Sequence, residues 1–250
     1  AQFADVVFPA ASFAEKTGTI TSSERRVQLM RQAIKPVGAA WPDYKIIMEL
    51  SRHLGYPMDY ESPAEIMEEI CMLTPVYGGI YHDRLESSWG LQWPCADREH
   101  GSTQYLHKYS FTRGRGWFEP AGHTPPAEAP DDEYPFVLVT GRVYHQYHTG
   151  SMTRRSPLSS REHGRPLIEV HPEDAKALGL RAGVEVRVAS RRGSCTFIVQ
   201  VTDRVARGHV FTTFHFAESP VNLLTANVSD PVARCPEYKV CAVQLGRAEA

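Results

Sequence analysis

The chain lacks an excess of charge of either sign: 27 Lys and Arg stand against 29 Asp and Glu, for a net charge of −2. That balance argues against a broadly basic nucleic-acid surface while leaving room for a local basic pocket. Also missing is any apolar run near the roughly 20 residues that a membrane-spanning helix requires. Cysteine is sparse. Cys71, Cys95, Cys195, Cys235 and Cys241 are odd in number and include no Cys-x-x-Cys pair. They indicate neither a zinc knuckle, nor a complete disulfide framework, nor an iron–sulfur cluster held by this chain alone. Burial as small apolar side chains in a reducing, cytoplasmic compartment is expected. The start, Ala1-Gln2-Phe3-Ala4-Asp5, has no initiator Met and none of the basic and apolar regions of a signal peptide. With 250 residues, 42% hydrophobic and 22% charged, the chain suffices for one large globular domain or two small ones.

Asp5-Val6-Val7-Phe8-Pro9 reads as a strand apolar on both faces, as strands inside parallel sheets are. A sheet cannot easily be completed from such a beginning, so a longer polypeptide is expected upstream of Ala1. A helix follows near Asp43 to Leu54, with Ile46, Ile47, Leu50 and Leu54 on one face and Gly55 as its stop. A second has Ser62 as N-cap, Pro63 at the first position, Glu65 completing a capping box, and an apolar stripe of Ile66, Met67, Ile70 and Leu73. Residues 1–74 thus read as the end of an α/β domain. From 75 to 133 periodicity fades into an irregular connection, closing with a Pro-rich exposed linker. Beyond it, over 134–247, strands are expected at 136–140, 167–170, near 184–188, 195–201, 210–214 and 240–245. A short helix opened by Pro172 and its acids closes at Gly179. Six strands and several turns in so short a span suggest a closed barrel.

The loop after the first of these strands is the chain's most unusual stretch. Gly141-Arg142-Val143-Tyr144-His145-Gln146-Tyr147-His148-Thr149-Gly150-Ser151-Met152-Thr153-Arg154-Arg155-Ser156 combines glycines, hydroxyls, histidines and arginines. Gly141 and Gly150 allow backbone N–H groups to approach a ligand oxygen. Arg142, Arg154 and Arg155 offer planar forks for phosphates or a heterocycle. A solvated basic loop is the alternative. His145 and His148 have chelating spacing but no evident further ligands, so hydrogen-bonding roles are preferred over a metal site. A second polar set lies near the C-terminus: Phe214-His215-Phe216, Asn222, Thr225, Asn227, Asp230-Pro231 and Pro236-Glu237-Tyr238-Lys239. Asp230 can accept two bonds from a guanine edge, Lys239 can neutralise phosphate and Tyr238 can stack. Alternatively the prolines simply shape capped turns. A third, Gly-containing polar stretch, Glu15 to Gln28, has the character of a loop at a strand end facing a crevice.

Several ordered motifs resemble the C-terminal part of the catalytic subunit of molybdopterin-dependent formate dehydrogenases, within the molybdopterin oxidoreductase family. They are Ala4-Asp5-Val6-Val7-Phe8-Pro9-Ala10-Ala11; Gly18-Thr19 with Glu24-Arg25-Arg26-Val27-Gln28; Leu91-Gln92-Trp93-Pro94-Cys95; Thr140-Gly141-Arg142; His148 to Arg155; and Pro236 to Val243. The resemblance implies an α/β end followed by a double-psi β-barrel that binds a molybdopterin dinucleotide. Two pterin guanine dinucleotides would hold molybdenum or tungsten, formate would be the substrate, and 4Fe–4S clusters would lie upstream. It implies the upstream part of the same subunit and electron-transfer subunits as partners. The cofactor-binding set is Thr140, Gly141, Arg142, Val143, His148, Thr149, Gly150, Thr153, Arg154, His215, Asn222, Asp230, Tyr238 and Lys239, with neither metal ligand nor catalytic residue on this chain. The family's metal-ligating cysteine or selenocysteine lies upstream, so the chain alone is expected to be inactive. At Ser22 the family more often has asparagine. Nitrate reductases, quinone-reductase large subunits and non-catalytic nucleotide- or protein-binding barrels are the competing readings.

Overall fold

Across residues 3–247, which the computed structural model describes, the chain forms two units, Ala1–Glu119 and Pro120–Ala250. In the first unit, β1 (Gly18–Thr21) and β2 (Arg26–Met30) form an antiparallel pair in register from Gly18–Met30 to Thr21–Val27. Arg25 makes the turn at φ 67°. Three helices, α1 (Asp43–His53), α2 (Pro63–Leu73) and α3 (His82–Glu86), precede β3 (Leu91–Gln92), which pairs with β2. Val27, Met67, Cys71, Ile80, Leu85, Leu91 and Cys95 form the core. Arg84 closes the turn below it, donating to the carbonyls of Gly79 at 2.6 Å and His100 at 2.9 Å.

Three expectations are corrected in this unit. Asp5–Pro9 is not a strand: among the described residues its one backbone link is Trp41 N donating to Pro9 O at 3.1 Å, beside an isolated bridge from Ala10 to Trp41, and Val6, Val7 and Phe8 are 66%, 62% and 58% exposed. An apolar run signals burial only if the fold brings another strand alongside. The capping box at α2 does not form as expected. The Ser62 side chain makes no cap bond, and the Glu65 carboxylate instead accepts from Glu61 N at 2.8 Å. Regular structure also extends past residue 74, since Ile80, Leu85 and Cys95 sit in the core and β3 completes the sheet. The stripes of the two long helices are only partly covered within the unit: Ile47, Leu50, Leu54, Ile70 and Leu73 are exposed.

The second unit is built on period-2 alternation. Its strands are β4 (Phe136–Gly141), β5 (Leu167–Val170), β6 (Glu185–Ser190), β7 (Gly193–Val201), β8 (His209–Thr213) and β9 (Cys241–Arg247). They close in the order β4-β8-β5-β7-β6-β9, with β4–β8 and β5–β7 parallel and the other pairs antiparallel. This is a double-psi β-barrel. Closure leaves no strand edge to pair with another chain. Leu138, Ile168, Val170, Val186, Val188, Val210 and Val243 point inward and are fully buried, each worth about 1.5–3 kcal/mol of transfer free energy. Two short helices, α4 (Pro157–Glu162) and α5 (Pro172–Ala177), lie in the connections. Helix α5 starts at His171, whose Nδ1 accepts from Glu173 N, and stops at Gly179 with φ 65°. Cys195 and Cys241 are buried here as anticipated, whereas Cys235 is exposed. No described helix is long and apolar enough to cross a membrane.

Candidate functional site at one end of the barrel

Parallel pairing of β4 with β8 creates the site. Gly141 sits opposite Thr213, so both strands end at the same level and the loops that follow them leave from one end. The first loop runs from 142 to α4 and contains the 3-10 turn Thr153–Arg155. The second begins Phe214-His215-Phe216 and runs through the 3-10 turn Val221–Leu223 towards β9. The first loop is thereby brought to Phe214, Phe216, Tyr238 and Lys239 of the second set.

Thr140 and Lys239 make the first link. Thr140, fully buried, donates its hydroxyl to Tyr238 O at 2.7 Å, and Lys239 Nζ donates to Thr140 O at 2.8 Å. Tyr238, 37% exposed, stands beside Lys239 with its ring 5.4 Å from the ammonium. Arg142 is the second link: it donates to His148 Nδ1 at 3.2 Å and lies 5.8 Å over the Phe214 ring. His148 adopts φ 50°, a left-handed conformation that a non-glycine residue adopts at a cost. Val143 is half-buried and Thr149 is exposed.

Arg154 is the third link. Its guanidinium makes a two-pronged pair with Glu218, at 2.9 and 2.6 Å, and lies 4.9 Å over Phe216. Burial pushes the Glu218 carboxyl up, but its backbone N–H and the Arg154 fork outweigh this and hold it below the usual carboxylate range. Arg154 therefore already has a carboxylate partner, whereas Arg142 and Lys239 have none among the described residues. Thr153 donates to the buried Gln146 amide oxygen at 2.6 Å and accepts from Tyr147 N, pinning the loop rather than presenting its hydroxyl. Beneath Arg154, His215 packs against Phe216 and His163 with ring centroids 4.0 and 5.3 Å away. Burial, with the neighbouring His163 and Arg154, pulls the His215 pKa down to about 4. The Nε2 atoms of His215 and His163 and the Thr213 hydroxyl are buried without a partner.

The two glycines have different reasons for being there. A Cβ on Gly141 would sit 2.5 Å from Phe211 Cε2, so the missing side chain makes room for a neighbouring ring. Gly150 has φ 72°, and a Cβ there would meet Arg154 Cγ at 2.7 Å and His215 Cβ at 3.2 Å. Asn222 and Asp230 stand apart from the links above. Asn222 lies exposed in the turn Val221–Leu223, its carbonyl accepting from Thr225. Asp230 Oδ1 accepts from Val232 N and Ala233 N at 2.9 and 2.5 Å, so that oxygen shapes the turn before Pro236. Sequence reasoning missed Gln146 and Glu218. Glu218 follows Phe214-His215-Phe216 by two residues, but its partner Arg154 lies sixty-four positions upstream, so no local pattern signalled the pair.

Residues 136–242 match the molydopterin dinucleotide binding domain, and residues 1–53 match the molybdopterin oxidoreductase family. The chain is 45% identical over 251 residues to the F420-dependent formate dehydrogenase subunit alpha of Methanocaldococcus jannaschii, covering 99% of this chain and 37% of that protein. It is 44% identical over 249 residues to the F420-dependent formate dehydrogenase 2 subunit alpha of Methanococcus maripaludis, covering 98% of this chain and 37% of the relative. The chain thus spans little more than a third of the length of these relatives. Among solved structures, acetylene hydratase from Pelobacter acetylenicus superposes over 99% of this chain and 39% of its own, with TM-score 0.73 and 16% identity, a likeness of fold. Both family matches, in this order along one chain, lead to one conclusion: the chain belongs to the molybdopterin oxidoreductase family.

Proposed function

We propose that this chain is the cofactor-binding, C-terminal segment of a formate dehydrogenase catalytic subunit. A guanine dinucleotide of the pterin would be held at the end of the barrel where β4 and β8 stop. The observation that carries this reading is the donor set there. Arg142 and Lys239 are cationic and lack carboxylate partners among the described residues, and the Thr213 hydroxyl and His215 Nε2 are buried orphans beside them. A ligand rich in phosphate and heterocycle oxygen satisfies such groups, and buried polar atoms without partners are otherwise costly. The residues present therefore fit the dinucleotide.

Arg142 and His148 act as a donor pair facing the pyrophosphate, with the strained His148 backbone fixing the loop's approach. Tyr238 supplies a face for stacking and Lys239 a positive charge, both anchored by Thr140. Thr149 and the backbone at Gly150 offer further donors, while Val143 and Gly141 shape the floor. Arg154 and Thr153 are read as positioning residues that hold the loop through Glu218 and Gln146. Asn222 and Asp230 remain in the proposed set as contacts to the guanine base, Asp230 through its second carboxylate oxygen. When bound, the metal–pterin group, with molybdenum or tungsten and a second dinucleotide, supplies the two-electron redox chemistry. The chain's own contribution is to bind that group, orient it, and keep water from its nucleotide tail. Formate as substrate and further subunits are suggested by the names of the formate dehydrogenase alpha-subunit relatives; upstream 4Fe–4S clusters and an electron-transfer role for the partners rest on the sequence resemblance, and all belong to the same proposal.

The test uses the full subunit in which this chain resides. Replacing Arg142 and Lys239 together by Ala should lower guanine nucleotide released by acid from the purified protein at least about tenfold, the loss of roughly 1.4 kcal/mol or more of binding. Unchanged nucleotide content would refute this placement.

A further inference from the structure

The segment leading into β4 is tied down at several points by residues outside the dinucleotide set. Glu128, whose side chain is only 12% exposed, accepts from Arg191 Nη1 at 2.7 Å and from Arg192 Nη2 at 2.8 Å. These two arginines are the turn residues of the β6–β7 hairpin, between Ser190 and Gly193. Asp131 takes the other terminal nitrogen of Arg191, whose guanidinium also lies 4.5 Å over the Tyr134 ring. Arg192 turns its remaining reach inward, with Nε at 2.9 Å and Nη2 at 2.7 Å both donating to Leu224 O. Leu224 is fully buried and caps the turn Val221–Leu223, the root from which residues 225–239 depart. At the far end of that loop, both carboxylate oxygens of Glu237 lie 3.3 Å from Ala127 N, and Glu237 N donates to Val228 O at 2.9 Å.

The strap at 127–131 therefore grips the loop at both ends, at its root through Arg192 and one residue before Tyr238 through Glu237. Between these grips no residue from 225 to 239 is buried, and an open depression of about 470 Å³ lies where Asn227 and Val228 face Ala127, Glu128 and Arg192, so the intervening loop has no packed core of its own. A loop without a filled core beneath it depends on its end anchors for its position. Glu128 fixes the Arg192 fork, and without that carboxylate Leu224 O loses its oriented donors.

We propose that Glu128 is a positioning residue for the 225–239 loop. Acting through Arg192, and together with Glu237, it holds Tyr238 and Lys239 against the end of β4 and so sets how fast a bound dinucleotide leaves. The proposal rests on the reading of Tyr238 and Lys239 as dinucleotide-facing given above, and the test separates the two. Backbone hydrogen exchange is followed in the full subunit, with and without cofactor, alongside the rate at which guanine nucleotide is lost from the loaded protein. Glu128→Gln is expected to speed exchange of the 225–239 amides about tenfold, with β4, β5 and β8 unchanged, and to speed nucleotide loss by a similar factor, the equivalent of about 1.4 kcal/mol. A general loss of folding stability would speed exchange in β4, β5 and β8 as well, so faster exchange confined to 225–239 is the mark of the anchor itself. Unchanged exchange across 225–239 overturns the proposal. Faster exchange with unaltered nucleotide loss keeps the anchor and instead refutes the assignment of Tyr238 and Lys239 to the dinucleotide. Should Glu128→Gln not fold, Glu237→Ala removes the acceptor of Ala127 N, releases only the far grip and carries the same test.

Discussion

Replacing Gly150 by Ala probes how the dinucleotide loop is held. Two costs arise. The left-handed backbone at φ 72° disfavours any residue with a Cβ, by about 1–2 kcal/mol. The new methyl would also sit 2.7 Å from Arg154 Cγ and 2.9 Å from Cδ, closer than atoms can approach. The Arg154 stem must therefore move, and its fork would leave Glu218 and the face of Phe216. That pair is partly solvated, so its loss adds only about 0.5–1 kcal/mol. The sum of about 1.5–3 kcal/mol corresponds to a fall of roughly 5–15 °C in melting temperature for a unit of this size. A double-mutant cycle with Arg154→Ala, read by urea unfolding, separates the two costs. In the Arg154→Ala background the Arg154 stem is gone and only the 3.2 Å approach to His215 Cβ remains, so Gly150→Ala should cost little beyond its backbone strain. An equal cost in both backgrounds would show that Gly150 and Arg154 are not coupled, and the reasoning about this loop would be wrong.

Further outcomes follow from the same geometry. Thr140→Val keeps the shape but removes the donor to the half-buried Tyr238 O, so a loss of about 0.5–1.5 kcal/mol is expected in urea unfolding, with weaker nucleotide retention. His215 has a folded pKa of about 4, below its usual value, so between pH 6.5 and 4 the unfolded chain binds more protons there. Its contribution to stability is complete above that window and is lost as pH falls through it; His215→Gln should flatten the slope of unfolding free energy against pH, and an unchanged slope would contradict the burial. Glu218 titrates below the usual carboxylate range, so the Arg154–Glu218 pair should persist at pH 5 and fail only in stronger acid, as followed by the Glu218 carboxyl resonance. Gly141→Ala should cost about 1–3 kcal/mol, because the Phe211 ring must shift, and Phe211→Leu should recover part of that loss in thermal melts.

Much of the barrel could be read from the chain itself. Val186 and Val188 alternate with Glu185 and Arg187, and Leu167 to Val170 leads into a helix opened by Pro172, so local pattern and final pairing agree. The Asp5–Pro9 run misled because an apolar run reports burial only when a strand lies along it, and among the described residues only an isolated bridge to Trp41 does, at its end. Leu91-Gln92 was missed as a strand because two residues carry no period. At the site, His148, Arg142, Tyr238 and Lys239 were legible as residue types suited to an anionic ligand. The reason for Gly141 was not, since Phe211 lies seventy positions away and meets it only through the parallel β4–β8 register. The Arg154–Glu218 fork and the Glu128–Arg192 anchor were hidden for the same reason: each joins residues sixty-four apart, and no local rule pairs them.

The central claim is that one dinucleotide is gripped by two segments far apart in sequence. Hydrogen exchange of the full subunit, compared with and without its cofactor, tests it most directly. The account requires amides at 141–155 and at 237–239 to gain protection together on loading. Protection confined to one of these segments, or appearing only elsewhere on the barrel, would contradict it.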